Sequence, residues 1–263
     1  MLIVTFLIYI TSSFLYERPE GVPSIESIFP GLTFTGPNFI KLITGITIRP
    51  IEGAFWSLFV EFKFYIIFGL LYFSFGRVNA IIATFSMYLL HLIGEKFNII
   101  ILTKVSFHFS FSYFVWFASG SLAYLYFVSK KNRYLYLSVL VSLIEIYQYR
   151  YNSKLLLFSL LILFIFIIPI YFEKVRFLLS NPFILFFGLI SYPLYLIHEN
   201  AMISLICKTS RLIDISNILL PVIPIILLVI ISYGIVKIAE PFVIKIINRI
   251  SVFIIDGFNK FRF

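Results

Sequence analysis

Apolar residues run along this chain in long stretches that contain few charges, and short segments rich in charge, proline or asparagine separate them. Such stretches predict transmembrane helices, each of which needs ~20 predominantly apolar residues. The runs are too continuous for an outer-membrane barrel, whose strands alternate over ~10 residues. We therefore predict about eight spans, at positions 1–15, 55–75, 78–93, 105–128, 134–147, 155–172, 183–206 and 215–238.

Composition narrows the class of protein further. Of the 263 residues, 61% are apolar and only 13% are charged, whereas a soluble domain is nearer half apolar and a quarter charged. This excludes a water-soluble enzyme, a secreted disulfide scaffold and a disordered chain. We predict an all-α, polytopic transmembrane helical bundle that forms one domain over 1–263.

The charges add information about partners. Lysine and arginine total 21 against 12 acidic residues, giving a net charge of +9. Most of the cations lie at the ends of apolar runs, where they contact lipid headgroups and set topology, so membrane lipids rather than nucleic acid are the predicted partner. The single Cys207 and three scattered histidines predict neither an internal disulfide nor a metal site.

Two segments depart from the pattern of spans and short connections. The stretch 16–54 is long and contains five prolines, which is typical of a functional loop or a mobile linker. The segment 242–263 predicts a basic amphipathic helix on the membrane surface, with a final short span as the alternative. Its apolar residues follow helical spacing and are Val243, Ile246, Ile247, Ile250, Phe253 and Ile254, with Lys245, Asn248 and Arg249 opposite.

A first polar cluster interrupts the apolar run 55–75. Ser57, Glu61 and Tyr65 are spaced i, i+4 and i+8, so on a helix they share one face. An ionisable side chain within a bilayer is costly and is a functional candidate by default. The alternative is a structural glutamate that hydrogen-bonds to a neighbouring helix.

A second polar cluster lies in the run 183–206. Ser191, Tyr195 and His198 are spaced i, i+4 and i+7, again on one helix face. A histidine in this setting can carry a proton or bind a substrate, and the alternative is a structural histidine near the membrane boundary. Glu240 precedes Pro241 near the predicted start of the surface helix, where a carboxylate is favoured by the helix dipole; that stabilising role is the alternative to a role in a site.

Four segments in this order resemble elements of the membrane acyltransferase 3 family, the O-antigen and polysaccharide O-acetylase type. WSLFVEFKFY at 56–65 is similar to the family element W-S-L-S-V-E-E-Q-F-Y, and GLISYPLYLIH at 188–198 is similar to G-x-x-S-Y-x-x-Y-L-x-H. FASGSLAY at 117–124 resembles the family's middle helix, and EPF at 240–242 resembles its closing E-x-P-F. The resemblance extends from about residue 50 to 248.

The resemblance implies a multi-pass protein of the bacterial inner membrane that transfers an acyl group, usually acetyl, from acyl-CoA to a hydroxyl of an envelope carbohydrate. Acyl-CoA is then the donor substrate, the carbohydrate is the acceptor, and no cofactor is bound permanently. His198 is the only imidazole that remains in a family-like element, so we predict it as the catalytic base, with Glu61 as the second catalytic candidate. The implied substrate-binding residues are Ser57, Tyr65, Ser191, Tyr195 and Glu240.

The chain departs from the family pattern at its first helices. The family has about ten spans and places an Arg followed by a His, regarded as the catalytic one, on the first helix, but here no His precedes His91. Phe62 and Lys63 replace the second acid and the Gln of the first element. We therefore expect a chain that lacks the family's N-terminal helices and that is inactive if those helices are essential. A transporter or flippase-like protein for lipid-linked sugars, with the same polar residues along its path, is the alternative function.

Overall fold

The computed structural model describes residues 1–212 and 219–260, with side chains described as far as Arg249 and at Ser251. These residues form helices joined by short connections and contain no β-strand, so the all-α prediction is confirmed for them. The helices are α1 Leu2–Thr11, α2 Ile28–Thr33, α3 Pro37–Thr44, α4 Trp56–Phe75, α5 Arg77–Lys96, α6 Ile100–Phe109, α7 Phe114–Ser129, α8 Asn132–Gln148, α9 Ser153–Tyr171, α10 Glu173–Leu179, α11 Pro182–Leu212, α12 Val222–Gly234 and α13 Glu240–Lys260.

Six helical stretches within the described residues are long and apolar enough to cross a membrane. They are Gly53–Phe75, Arg77–Lys96, Phe111–Ser129, Ser153–Tyr171, Pro182–Leu212 and Val222–Arg249. The predicted run 1–15 contains only the shorter apolar helix α1, and the run 134–147 forms α8, which has 17 residues and is not among the six. The run 105–128 begins at the end of α6 and continues as the candidate span Phe111–Ser129. The number of about eight spans thus stays a prediction, and the beginning of the run 215–238 lies outside the described residues.

The predicted run 105–128 contains a break that its apolar pattern does not signal. Ser110 adopts a left-handed conformation with φ of 64°, which ends α6. A 3-10 turn, Phe111–Tyr113, then leads into α7. The Ser110 hydroxyl accepts a hydrogen bond of 3.0 Å from the Lys63 ammonium, so a polar contact from α4 accompanies the turn.

The contacts of the chain group into two compact units. Unit 1 combines Met1–Trp56 with Pro182–Phe263, and unit 2 is Ser57–Asn181. The core of unit 2 is aromatic, and in it the rings of Phe64 and Phe117 stack at 4.0 Å between centroids. The single domain over 1–263 stays a prediction.

Helices α7 and α8 of unit 2 meet through small and polar residues. The Ser119 hydroxyl lies 2.9 Å from the Ser138 hydroxyl and 2.7 Å from the Ser142 hydroxyl. Serine lets helices approach closely within a membrane while its hydroxyl satisfies a partner across the interface. Glu145 on α8 accepts hydrogen bonds from two tyrosine hydroxyls, Tyr88 at 2.6 Å and Tyr149 at 2.7 Å, which gives this carboxylate a structural role.

The stretch 16–54, predicted as a long loop, contains α2 and α3 in unit 1. Gly31 on α2 lies against α1, and a β-carbon added to it would be 2.7 Å from the Thr5 hydroxyl oxygen. The missing side chain is what allows this approach of the two helices, which the sequence pattern does not reveal.

Helices α12 and α13 are continuous through one π-helical turn, Ile235–Ala239. Pro241 follows this turn; it has no N–H, and its ring would clash with the carbonyl four residues earlier in a regular α-helix. A π turn widens the helix locally and so accommodates the proline without a break. The surface position predicted for 242–263 stays a prediction, and residues 261–263 lie outside the described residues.

Candidate functional site

The first predicted cluster lies on α4 in unit 2. Ser57 and Glu61 are half-buried, whereas Tyr65 is 61% exposed. Glu61 and Tyr65 interact through their side chains as expected for positions four residues apart on a helix. The structure therefore places these two predicted residues together, with the carboxylate beside the phenol.

The second predicted cluster lies on α11 in unit 1. Ser191, Tyr195 and His198 are all exposed. His198 Nδ1 lies 2.8 Å from the backbone carbonyl oxygen of Tyr195. Because a carbonyl oxygen only accepts hydrogen bonds, Nδ1 must carry the proton, and the neutral ring then presents Nε2 as an acceptor. This arrangement fixes the tautomer that a general base requires.

Glu240, the remaining predicted residue, is half-buried at the start of α13. It belongs to unit 1, as do Ser191, Tyr195 and His198, while Ser57, Glu61 and Tyr65 belong to unit 2. The predicted site residues thus form two sets, one in each unit. A joint site that contains both His198 and Glu61 stays a prediction.

Unit 1 contains a buried charged group that the sequence analysis did not identify. Arg18 Nη2 donates to Glu52 Oε2 at 3.1 Å and to the backbone carbonyl of Ile51. The two side chains are only 2% and 1% exposed. Glu52 Oε1 accepts a hydrogen bond of 2.7 Å from the backbone N–H of Asn200 on α11.

The electrostatics of this group follow from its burial. Burial raises the pKa of Glu52, while the hydrogen bonds from Asn200 and the charge of Arg18 act in the opposite direction. Glu199 also raises the pKa of Glu52 through its charge. A β-carbon on Gly53 would lie 2.6 Å from a carboxylate oxygen of Glu199, so a glycine is what lets this second acid approach the backbone next to Glu52.

A cavity of about 200 Å³ adjoins the buried charged group. Its polar lining residues are Thr11, Arg18, Glu52 and Asn200, and the side chains that complete it, from α1, the segment after α1, α11 and α12, are apolar. The buried Nε atom of Arg18 has no hydrogen-bond partner among the described groups.

A second charged group attaches the segment after α1 to the end of α11. Glu17 accepts hydrogen bonds from the Ser204 hydroxyl at 3.0 Å and from Arg211 at 3.0 Å, and it forms an ion pair with Lys208 at 3.3 Å. Burial raises the pKa of Glu17, but hydrogen bonds from its backbone, Ser204, Lys208 and Tyr16 outweigh this and lower it to about 2. Glu17 is therefore a carboxylate at neutral pH and fixes residues 16–18.

The spacing of residues on α11 carried a signal for these contacts. Asn200, Ser204, Lys208 and Arg211 are spaced i, i+4, i+8 and i+11, so they share one helix face. A polar stripe that continues an apolar face predicts a polar partner segment. No local pattern marks Glu17 and Glu52 as that partner, because they lie in the proline-rich stretch.

The described residues contain no group of three His, Cys, Asp or Glu side chains that could hold a metal ion. The titratable groups instead form pairs and small clusters with hydroxyl and amide partners. Such sets are suited to proton transfer and to hydrogen bonding of polar substrates.

Comparisons with known proteins return no relatives for this chain. No family model matches it, and neither the curated proteins nor the solved structures provide a match. The resemblance to the membrane acyltransferase 3 family therefore depends on the four segments themselves, and its implications stay predictions.

Proposed function

We propose that the chain is a multi-pass O-acyltransferase of the bacterial inner membrane. It would move an acyl group, with acetyl as the simplest case, from acyl-CoA to a hydroxyl of an envelope carbohydrate. The observation that carries the proposal is the hydrogen bond of 2.8 Å that holds His198 Nδ1 and leaves Nε2 as the basic atom of an exposed ring. The order of the four family-like segments supports the same function.

In the proposed reaction His198 Nε2 takes the proton of the acceptor hydroxyl. The hydroxyl oxygen attacks the thioester carbonyl carbon, and a tetrahedral intermediate forms. The carbon–sulfur bond then breaks, the imidazolium returns its proton to the leaving sulfur, and the products are the O-acyl carbohydrate and CoA. A positioned general base of this kind contributes roughly 10²–10⁴-fold to a rate.

The other predicted residues of unit 1 bind and orient the carbohydrate in this proposal. Ser191 and Tyr195 share the exposed face of His198 on α11, and their hydroxyls donate and accept hydrogen bonds. Glu61, predicted as catalytic, and Ser57 and Tyr65, predicted to bind substrate, lie on α4 in unit 2, and their roles stay predictions. Glu240 contributes a further carboxylate in unit 1.

A transporter for lipid-linked sugars is the competing class, because polar residues on membrane helices also line transport paths. Cells that carry or lack the protein should be grown with labelled acetate, and both envelope O-acetylation and the amount of exported glycan should be measured. Acyl transfer predicts that deletion removes label from the glycan and leaves glycan export unchanged. Unchanged O-acetylation together with reduced export would contradict the proposal.

A further inference from the structure

One end of unit 2 gathers basic side chains from two parts of the chain. The first part runs from the end of α7 into the first turn of α8, and the second part is α10. The proposed acyl transfer uses neither part. Together they contain one acid, Glu173, and five cations, which we call the basic cluster. The basic cluster consists of Lys130, Lys131, Arg133, Lys174 and Arg176.

The ring of Phe127, on the last turn of α7, joins the two parts of the basic cluster. The Lys130 ammonium lies 4.7 Å from the ring centroid, and the Arg176 guanidinium lies 5.5 Å from it. A cation within about 6 Å of an aromatic ring is attracted to the face of that ring. The fold thus concentrates at one place a positive charge that the sequence divides between two distant segments.

The single acid does not neutralise the basic cluster. Glu173 is paired with Arg176 at 3.0 Å, and the same guanidinium donates to the backbone carbonyl oxygens of Pro169 at 3.0 Å and Ile170 at 3.1 Å. Among the described residues, the other members of the basic cluster form no ion pair with a carboxylate. They are all exposed, so their mutual repulsion is relieved when an anion from outside the chain binds to them.

The basic cluster lies where two candidate spans end. Phe111–Ser129 and Ser153–Tyr171 are both long and apolar enough to cross a membrane, and each ends directly before one part of the basic cluster. The contact of Arg176 with Phe127 brings these two ends together. Because a membrane span ends at the level of the lipid headgroups, the anions at this position are the phosphates of those headgroups.

We propose that the basic cluster is a docking surface for anionic phospholipids, which it binds in preference to zwitterionic ones. The phosphate of a zwitterionic headgroup already has a cation in the same headgroup, whereas the phosphate of phosphatidylglycerol has none. Each Lys or Arg near an anionic membrane surface strengthens association roughly fivefold. The sequence indicates only that cations meet headgroups at many places, and the structure locates a preference for anionic lipid at one end of unit 2. This surface does not depend on the proposed acyl transfer.

The test is native mass spectrometry of the full chain in detergent, with equal amounts of phosphatidylglycerol and phosphatidylcholine that carry the same acyl chains. The measured quantity is the ratio of protein with bound phosphatidylglycerol to protein with bound phosphatidylcholine. The double variant Lys130→Gln, Lys131→Gln removes two exposed charges of the basic cluster and should lower this ratio roughly 10- to 30-fold.

The matched control removes two exposed lysines of unit 2 that lie outside the basic cluster. Lys96 is at the end of α5, where its ammonium lies 5.7 Å from the ring centroid of Phe97, and Lys104 is on α6. Lys96→Gln, Lys104→Gln should keep the ratio of the wild type. Equal ratios for Lys130→Gln, Lys131→Gln and the wild type would overturn the proposal.

Competition on the wild-type protein distinguishes a lipid from a small phosphate. Inorganic phosphate and glycerol 3-phosphate, added at constant ionic strength, supply the same charged group without acyl chains that pack against the spans. We expect bound phosphatidylglycerol to stay in place. Displacement of most of it by either small phosphate would overturn the assignment to a lipid headgroup.

Discussion

Replacing Glu52 with Gln is expected to destabilise unit 1 strongly, because it leaves the buried Arg18 without a counter-charge. The side chains of the pair are 2% and 1% exposed, so water cannot solvate the guanidinium in the folded state. Removing one partner of a buried pair costs about 3–5 kcal/mol. One hydrogen bond is retained in the variant, because the Gln oxygen can still accept from the backbone N–H of Asn200.

The chain offers a matched control in an exposed ion pair. Glu173 is 86% exposed and lies 3.0 Å from Arg176, three residues along the same helix. Exposed pairs contribute roughly 0.2–1 kcal/mol, so Glu173→Gln should have little effect on stability. The double variant Arg18→Leu, Glu52→Leu removes both charges and should be more stable than Glu52→Gln, because apolar replacement of a whole buried pair is often close to neutral.

The assay is the fraction of protein that stays monodisperse in size-exclusion chromatography after heating in detergent. A loss of 1 kcal/mol lowers the Tm of a chain of this size by roughly 2–4 °C, so Glu52→Gln should lower it by on the order of 10 °C. If Glu52→Gln melts at the same temperature as Glu173→Gln, the account of the buried pair is wrong.

Three further variants test other contacts. The pKa of Glu17 is lowered from 4.5 to about 2, so its carboxylate stabilises the fold above pH 4.5, and this contribution is lost as the pH falls toward 2. The melting temperature measured between pH 4.5 and pH 2 should therefore fall more steeply for the wild type than for Glu17→Gln. Gly31→Ala overpacks the contact with α1 and should lower the free energy of unfolding by about 1–3 kcal/mol. The control Gly120→Ala adds a methyl group that meets nothing within 4 Å and should not destabilise the protein, so equal melting temperatures of the two variants would contradict this prediction. Tyr88→Phe removes a hydrogen bond of 2.6 Å to a carboxylate and should lower stability by about 1.5–3 kcal/mol while acyl transfer is retained.

The sequence pattern predicts the helices more closely than their ends or their packing. The run 134–147 corresponds to α8, and the run 55–75 to α4, because continuous apolar residues determine helices in a bilayer. The break at Ser110 has no such signal: no glycine or proline marks it, and a positive φ at a serine is uncommon. The turn is accompanied by a hydrogen bond from Lys63, 47 residues earlier in the chain, and local periodicity carries no information about a contact of that separation.

The candidate site also has one part that the sequence predicts and one part that it does not. Spacing alone placed Ser191, Tyr195 and His198 along one helix, and the structure adds the hydrogen bond that fixes the histidine tautomer. The buried charged group could not be predicted, because Glu52 and the Asn200 backbone are 148 residues apart in the chain. Local periodicity carries no information about such a contact.

The proposed role of His198 is tested most directly with the purified protein in nanodiscs, acetyl-CoA labelled in the acetyl group and a polysaccharide acceptor. Transfer of label and release of free CoA thiol should be measured for the wild type, for His198→Ala and for His91→Gln. His91 hydrogen-bonds the Ser106 hydroxyl in unit 2 at 2.9 Å, and Gln can replace that contact, so this control should retain activity. The account predicts that His198→Ala lowers the rate roughly 10²–10⁴-fold without changing the melting temperature. A rate for His198→Ala equal to that of the wild type would contradict it.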